Sequence, residues 1–446
     1  MHSISRFSVM ACLVLLAASA KLAMAQSLMQ EKDPAKLIAV LRSADAPVFD
    51  KAKACQRLAV IGSREAVPAL AALLPDPQLS HYARFALEAL PDAAADEALR
   101  EAAGRLEGRL LIGVINSLGF RRDAKAAELL TRLLRHSDPE VAQAAAGALG
   151  RIATAEAVTA LRQGLADARA SVRTHVGDAC LTCAEQLAAK GNRQAMLELY
   201  DALSKAEVPA HIRLAAKRSH TLARGGEAVG ALVEQIRAKD PGEFAMALSA
   251  ARELPGTEVT NALTAELDRL PAERRALLIS VLGARGDRAA VPALLNAAKS
   301  DSSQVRMAAI RVLARLGDAS AAAVLFETAI SGEPEVAEAA QTTLASVPSK
   351  QLDEAILARL RDADQKARKV AIELAGQRRL VAALPAILKA ADEADESIRL
   401  AAVKAVGQLI ELKDLSLVAE RLLKAKTPQE KAAAQEAMQA ACMRAA

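Results

Sequence analysis

The chain has 446 residues, a formal net charge of +5 and an aromatic content of only 2%. Its nearly balanced count of 58 basic and 53 acidic residues argues against nucleic-acid binding, which usually needs a strongly basic domain with clustered Lys and Arg. The lack of Trp and the small number of aromatic rings argue against aromatic cages and base-stacking platforms.

The N-terminal 25 residues have the pattern of a secretory signal peptide. Arg6 precedes an apolar run over 7–18, and small residues at 23 and 25 form a cleavage pattern. A membrane anchor is the alternative, but the run is too short to span a bilayer, and Cys12 lies inside the run rather than at a lipidation site. We therefore expect a soluble chain over 26–446, exported to the periplasm or secreted. No later segment of the sequence is long and apolar enough to span a membrane.

From residue 35 to the C-terminus, a pair of amphipathic helices recurs about every 31 residues, a period that indicates stacked helical repeats. The first-helix anchors are Ala35, Ala66, Ala95, Ala126, Ala157, Ala195, Ala228, Val259, Ala290, Ala322, Asp353, Ala383 and Ser416. No linker rich in Pro, Gly or Ser interrupts the pattern, so residues 26–446 are expected to form one continuous array. The predicted fold is all-α, a right-handed superhelix of about 12 to 13 antiparallel helix pairs.

Local signals predict where the helices begin and end. An Asp-Pro-Glu sequence at 138–140 combines an N-cap, a first-turn proline and an acid. In the repeat over 287–317, Asp287 caps the first helix, and a polar turn at 300–302 separates it from the second. The sequence Thr-Pro-Gln-Glu at 427–430 forms a capping box.

Several segments carry the pattern of a known repeat family. First-helix segments are "AVPAL" at 66–70 and "AVPALLNAA" at 290–298, and second-helix segments are "VAQAAAGALGRI" at 141–152, "VRMAAIRVLARLGD" at 305–318 and "IRLAAVKAVGQL" at 398–409. They resemble HEAT repeats, particularly the short repeats of the phycobilisome-lyase-like group, over nearly the whole chain after residue 25. The resemblance implies an armadillo-type solenoid that serves as a binding scaffold, with the second helices lining a concave surface.

Two parts of the array depart from the regular period. The spacing between Ala157 and Ala195 is longer than its neighbours, which predicts an extended helix from Val172 to about Lys190. The last helix, over 429–446, lacks the polar outer face expected of a terminal cap. Either the array continues beyond the C-terminus in a longer protein, or this helix packs on a partner.

The outward stripe of the second helices is the predicted binding surface. With the apolar residues of one such helix facing the core, Gln304, Arg311 and Arg315 lie on its opposite side at helical spacing. The equivalent polar positions are His81, Arg84 and Glu88, then Ser171, Thr174, Asp178 and Thr182, then His211 and Arg218, and finally Lys366, Lys369, Glu373, Gln377, Lys404 and Gln408. A solvated helix face would give the same pattern, but solenoids bind partners along extended concave surfaces. We therefore expect a protein or peptide to bind along this stripe.

Adjacent repeats near the N-terminus bring several candidate side chains together. The segments "LSHYARFALEALPD" and "GVINSLGFRRDAKA" contain His81, Tyr82, Arg84, Phe85, Asn116, Arg121 and Arg122. We favour core positions for Tyr82 and Phe85 and an ordinary charged turn for 121–123. If a small anionic or carboxylate ligand binds, this basic corner is the expected site, because arginine donates hydrogen bonds from a planar fork.

The cysteines do not form a recognisable reactive or metal-binding motif. The four outside the leader are Cys55, Cys180, Cys183 and Cys442. The Cys-x-x-Cys pair at 180–183 is followed by Ala184 instead of the His of a haem-attachment motif. His175 lies about 140° around the helix from Cys180, a poor direction for sharing a zinc ion. The pair aligns with core positions of other repeats, so buried thiols are predicted, with a redox pair as the alternative.

No catalytic constellation is found in the sequence. HEAT-like relatives include di-iron hydroxylases that act through His-Glu pairs, but none of the six histidines here is followed by Glu. The sequence also lacks a phosphate-binding glycine loop, a nucleophile elbow and a zinc-protease motif. We expect a noncatalytic scaffold without a metal or cofactor. Two alternatives stay open: an accessory module of a larger exported enzyme, or a HEAT-type enzyme that holds a metal or chromophore near His81, Arg84 and Arg121.

Overall fold

The computed structural model describes residues 28–167, 169–316 and 321–443. The chain is 80% helical, and the described residues contain no β-strand. The fold is therefore all-α, as the sequence predicts. The predicted signal peptide over 1–25 lies outside the described residues.

Two compact units divide the chain, and the first ends at residue 223. Its described helices in chain order are α1 (Pro34–Arg42), α2 (Val48–Ile61), α3 (Val67–Ala71), α4 (Ser80–Ala89), α5 (Ala93–Ala103), α6 (Gly108–Arg121), α7 (Ala127–Leu133), α8 (Pro139–Ile152), α9 (Ala155–Asp167), α10 (Ala170–Ala189), α11 (Arg193–Lys205) and α12 (Ala210–Arg224). Odd numbers are the first helices of the repeats and even numbers are the second helices. Short 3₁₀ turns at Arg64–Ala66 and Ala124–Ala126 lead into α3 and α7.

The second unit, from residue 224 onward, continues the same alternation. Its described helices are α13 (Val229–Arg237), α14 (Pro241–Glu253), α15 (Thr257–Thr264), α16 (Ala272–Arg285), α17 (Val291–Ala297), α18 (Ser303–Leu316), α19 (Ala322–Ser331), α20 (Pro334–Ser346), α21 (Lys350–Arg359), α22 (Gln365–Gln377), α23 (Leu384–Ala390), α24 (Glu396–Leu409), α25 (Ser416–Lys424) and α26 (Pro428–Met443). The α-helices named here number 26. They form 13 pairs, which agrees with the predicted number of repeats.

Helix starts follow the local signals in the sequence. Asp138 accepts a hydrogen bond from the Glu140 backbone N at 2.8 Å, with Pro139 in the first turn of α8. Before α26, Thr427 Oγ1 accepts a hydrogen bond from the Glu430 N at 3.2 Å, and Glu430 Oε2 accepts one from the Thr427 N at 3.4 Å. Each bond satisfies a donor that a first helical turn leaves open. The predicted cap and capping box are confirmed.

The core of each unit lies between its first and second helices. Leu130 of α7 and Leu149 of α8 are fully buried in the first unit, as are Leu294 of α17 and Leu313 of α18 in the second. Burial of a leucine side chain stabilises a fold by roughly 1.5–3 kcal/mol. The apolar side of each amphipathic helix therefore faces its partner, and the opposite side of each second helix is left for polar residues.

Successive second helices approach each other closely because small residues line their contacts. A Cβ atom added to Gly119 of α6 would lie 2.8 Å from Ala148 Cα in α8, and one added to Gly150 of α8 would lie 2.6 Å from the Ala179 carbonyl oxygen in α10. The second unit repeats this close contact between α22 and α24. The small residues of these helices thus set a short distance between repeats.

Helix α10 confirms the extension predicted for this part of the array. It spans 20 residues, from Ala170 to Ala189. Just after it, Lys190 Nζ donates hydrogen bonds to the carbonyl oxygens of Ile152 at 3.0 Å and Ala153 at 3.2 Å. The extension therefore reaches the C-terminal end of α8 and satisfies carbonyl groups that α8 cannot pair itself.

Candidate functional site

The even-numbered helices of each unit share one side that points away from the first helices, here called the second-helix face. Its exposed predicted residues are His81, Asn116, Asp178 and His211 in the first unit and Arg311, Arg315 and Lys404 in the second. His81 and Asn116 lie on the neighbouring helices α4 and α6, and Asp178 and His211 lie on α10 and α12. Both units therefore present part of the predicted stripe.

Arg84 is half-buried and packs against the next second helix. Its Nη1 donates to the Gly113 carbonyl oxygen at 3.1 Å, and Ser117 Oγ donates to Glu88 Oε1 at 2.6 Å. Gly113 makes room for this contact, since a Cβ atom there would lie 2.7 Å from Arg84 Cζ. Burial lowers the pKa of the Arg84 guanidinium, and its Nε has no hydrogen-bond partner among the described residues. Arg84 and Glu88 thus belong to the contact between α4 and α6, with one Arg84 donor still unpaired.

Arg121 lies between repeats rather than on the second-helix face. Its side chain is only 9% exposed, and its Nη1 donates to the carbonyl oxygens of Leu87 at 2.7 Å and Leu90 at 2.5 Å. Its Nε donates to Asp96 Oδ1 at 2.5 Å. These bonds satisfy the last carbonyl groups of α4, where the helix dipole also favours a cation. The donors of Arg121 are engaged within the chain, so only Arg122 of this arginine pair is exposed.

Three phenylalanines are exposed on the second-helix face of the first unit. Phe49 of α2, Phe85 of α4 and Phe120 of α6 are 52%, 51% and 64% exposed. The prediction that Phe85 lies in the core is wrong, because Ala83 and Leu87 take the core positions of α4 and turn Phe85 outward. Sequence reasoning missed Phe49 and Phe120, although both stand at outward positions of the helical repeat pattern.

Two other predicted residues of the first unit have neighbours of their own. The exposed His81 ring lies edge-on to the Tyr82 ring, with centroids 5.6 Å apart. Tyr82 packs partly against the core, in line with its predicted position. Arg218 of α12 is half-buried and engaged in an interaction within the chain. Of these side chains, His81 is the one most available to a partner.

In the second unit, the predicted lysines belong to a row of alternating charges. Lys369 Nζ lies 3.9 Å from Glu373 Oε1, and Lys404 Nζ lies 2.7 Å from Glu436 Oε2. Burial raises the pKa of the Glu373 carboxyl, while the charges of Lys369 and Lys404 oppose this shift. Because each lysine has an acid close by, this part of the face offers polar contacts without a strong net charge.

The buried cysteines confirm the core positions predicted for them. Cys180 and Cys183 are fully buried, and burial raises the pKa of both thiols, that of Cys183 to about 11. Burial also raises the pKa of Cys55 to about 12. Because the thiolate is the reactive form, we expect iodoacetamide to modify only the exposed Cys442 rapidly in the folded chain 26–446, and the other three after denaturation. Peptide mass spectrometry measures this, and rapid labelling of Cys183 would favour the redox-pair alternative.

A cavity of about 550 Å³ lies between α9 and α11, on the side of the first helices. Its lining includes Arg162, Arg173 and Lys205. Arg173 Nη1 lies 2.9 Å from Glu207 Oε2, and Lys205 Nζ lies 2.8 Å from Asp201 Oδ2. The charges around this cavity are therefore largely balanced, and it does not coincide with the predicted stripe.

The described ranges show neither a metal-ligand cluster nor a membrane-spanning helix. Among those residues, no group of three or more His, Cys, Asp or Glu side chains is arranged to hold a metal ion. None of the helices in the described ranges is both long enough and apolar enough to cross a membrane. The lack of a catalytic site stays a prediction.

Antiparallel helix pairs that stack through their second helices and share one exposed side define an all-α solenoid of helical repeats. The sequence profile of HEAT repeats matches residues 97–180, 260–345 and 354–439, which together make up more than half of the chain. The chain belongs to the HEAT-repeat family. No curated protein sequence matches it.

The chain is similar to several solved structures at low sequence identity. Human deoxyhypusine hydroxylase in complex with glycerol is 24% identical over 63% of this chain and 95% of that chain, with a TM-score of 0.27. Kap95p, in a structure with RanGDP, is 13% identical over 98% of this chain, with a TM-score of 0.42. Karyopherin Kap121p, bound to the extreme C-terminus of the protein phosphatase Cdc14p, is 11% identical over 99% of this chain, with a TM-score of 0.46. The chain spans 64% of Kap95p and 57% of Kap121p. At these identities the similarity concerns the helical fold alone.

Proposed function

We propose that the chain is a noncatalytic HEAT-repeat scaffold that is exported and binds a protein or peptide along its second-helix face. The observation that carries the proposal is a set of exposed side chains on four second helices of the first unit, namely His81, Phe85, Asn116, Phe120, Asp178 and His211. Residues that stabilise the stack, such as Arg121, lie between the helices instead. The leader-like sequence of residues 1–25 supports export.

Binding in such a scaffold is distributed over several repeats. The second helices that carry these exposed side chains contribute only one or two of them each, so each contact supplies a modest share of the affinity. In the second unit, Arg311 is exposed on α18, and exposed Glu335 and Glu338 of α20 keep the charge of that unit's second-helix face mixed. A partner held in this way tolerates loss of one contact better than loss of several.

Affinity capture from the cell envelope tests the proposal, with a tagged chain 26–446 as the bait and mass spectrometry as the readout. The variant baits carry Asn116→Glu, Asp178→Lys and Arg311→Glu on the second-helix faces, or Lys36→Glu, Glu354→Lys and Lys389→Glu on the first helices as a matched control. We expect reproducible partners that are lost with the second-helix variant and kept with the control. Each second-helix substitution alone should weaken binding by less than about tenfold.

Three outcomes would count against the proposal. One is that the unaltered bait captures no reproducible partner. Another is that the first-helix control loses the same partners as the second-helix variant, which would assign binding to a different surface. The third is that a single substitution abolishes binding while circular dichroism shows intact folding, because distributed contacts do not behave in that way.

A further inference from the structure

The described phenylalanines fall into a buried group and an exposed group. Phe244 and Phe326 are only 4% and 1% exposed, whereas Phe49, Phe85 and Phe120 are each more than half exposed. The exposed three lie on α2, α4 and α6, the second helices of three consecutive repeats. Single exposed apolar residues are common on protein surfaces, but several on one face mark an interaction surface.

The next second helix, α8, packs on α6 through Gly119 and Ala148 and carries small residues on its outward side, here called the Gly147 floor. Ala144 and Gly147 are half-exposed residues of α8. A Cβ atom added to Gly147 would meet no described heavy atom within 4 Å, so the space above this glycine is open. The outward side of α8 therefore leaves room for a large apolar side chain of a partner.

The four helices that form this region are basic. They carry Lys51, Lys53, Arg109 and Arg151 against Asp50 and Glu140, whereas Arg57, Arg84 and Arg121 donate hydrogen bonds to backbone carbonyl groups inside the first unit. Lys53 Nζ lies 5.5 Å from the centroid of the Phe49 ring. One carboxylate oxygen of Glu88 already accepts a hydrogen bond from Ser117. A partner that complements both the rings and the charges is therefore apolar and acidic.

We infer that Phe49, Phe85 and Phe120, together with the Gly147 floor, form a docking surface for an acidic peptide segment that carries large apolar side chains. The inference rests on the proposed function, and it adds the chemistry of the partner and its place in the first unit. The apolar side chains of the peptide pack on the rings and the floor. Its carboxylates face the cations of the same helices, of which Lys53 stands beside Phe49.

A random 12-residue peptide library displayed on phage supplies the probe, with the chain 26–446 as the bait. We expect the enriched peptides to contain at least two large apolar residues and an excess of Asp and Glu over Lys and Arg. Fluorescence anisotropy of synthetic copies then gives the Kd, which should rise as salt is added because opposite charges meet in the contact. Enrichment of basic peptides, or no enrichment at all, overturns the inference.

Three variants locate the binding of the enriched peptides. The double substitution Phe85→Ser with Phe120→Ser is expected to raise the Kd at least tenfold, and Gly147→Leu should raise it by filling the floor. Val381→Ser is the matched control, because Val381 in the second unit is also 64% exposed, and it should leave the Kd unchanged. Thermal unfolding followed by circular dichroism checks that each variant is folded. A folded double variant with an unchanged Kd overturns the inference.

Different results would contradict the docking surface and the scaffold proposal. If the Phe85→Ser, Phe120→Ser bait still captures every partner from the cell envelope, the scaffold proposal stands and the docking surface is wrong. If the unaltered bait captures nothing, the scaffold proposal fails and this inference fails with it. A second copy of the chain is the competing occupant. If sedimentation analysis shows a dimer that the double substitution abolishes, the surface serves self-association. That result overturns the inference that an acidic peptide binds there.

Discussion

Replacing Arg378 with methionine is expected to lower the free energy of unfolding of the second unit by about 2–4 kcal/mol. The Arg378 side chain is only 7% exposed, and its Nη1 donates to the carbonyl oxygens of Leu344 at 2.7 Å and Val347 at 2.6 Å. Its Nε donates to Asp353 Oδ1 at 2.7 Å. Methionine fills much of the volume but leaves these acceptors unpaired, which costs more than the net strength of the bonds. Because Asp353 is one third exposed, water limits the loss.

Hydrogen exchange followed by mass spectrometry is the appropriate measurement, because a repeat array need not unfold in one step. We expect faster exchange in α20 and α21, the helices that Arg378 joins to the end of α22. Arg379→Met is the matched control, since Arg379 is the next residue and is exposed. Equal destabilisation by both substitutions, or unchanged exchange in α20, would contradict this role for Arg378.

The same arginine contact recurs in other repeats. The sequence alone could not predict it. In each case the arginine binds a carbonyl oxygen 31 residues earlier, from Arg121 to Leu90, from Arg285 to Leu254 and from Arg378 to Val347. The sequence places an arginine at a helix C-terminus, where the helix dipole favours a cation. It does not show whether that arginine faces solvent or the preceding repeat. The sequence therefore predicts Arg121 as a candidate for partner binding. In the structure its donors form hydrogen bonds with the preceding repeat.

The fold itself could be predicted because its signals are local. The cap at 138–140, the polar turn at 300–302 and the capping box at 427–430 mark helix ends without reference to distant residues. The repeat period then implies that each pair packs on the next. The closeness of the second helices could not be predicted in this way. It depends on which side of a helix Gly119 and Gly150 face, and the period alone does not specify that.

The candidate site could be predicted only in part, because alanine-rich helices have a broad apolar side. His81 and Asp178 of the polar stripe and Asn116 of the basic corner are exposed, although their role in binding stays a prediction. In the sequence, Tyr82 aligns with a core position of other repeats, and Phe85 is also apolar. The sequence therefore predicts that both side chains lie in the core. In the structure Ala83, Ala86 and Leu87 are buried and Phe85 lies on the opposite side of α4, and the sequence pattern alone does not specify which side is buried.

Gly150→Leu is expected to lower the free energy of unfolding of the first unit by at least about 3 kcal/mol, the upper end of the usual cost of overpacking. An added Cβ atom would lie 2.6 Å from the Ala179 carbonyl oxygen and 3.2 Å from its Cα. Leucine can be accommodated only if α8 and α10 move apart. That movement would also strain the hydrogen bond from Lys190 Nζ to the Ile152 carbonyl oxygen, which is 3.0 Å long.

Gly147→Leu, three residues earlier in the same helix, is the matched control. It is expected to raise the free energy of unfolding by about 0.5–1 kcal/mol, because leucine favours the helix and the added Cβ would meet no described heavy atom within 4 Å. Urea unfolding followed by circular dichroism compares the two variants. Effects of the same sign would mean that α8 alone, rather than its contact with α10, determines the requirement for Gly150. Because the same Gly147→Leu chain also fills the Gly147 floor, weaker peptide binding without lower stability would separate the docking surface from the packing of the repeats.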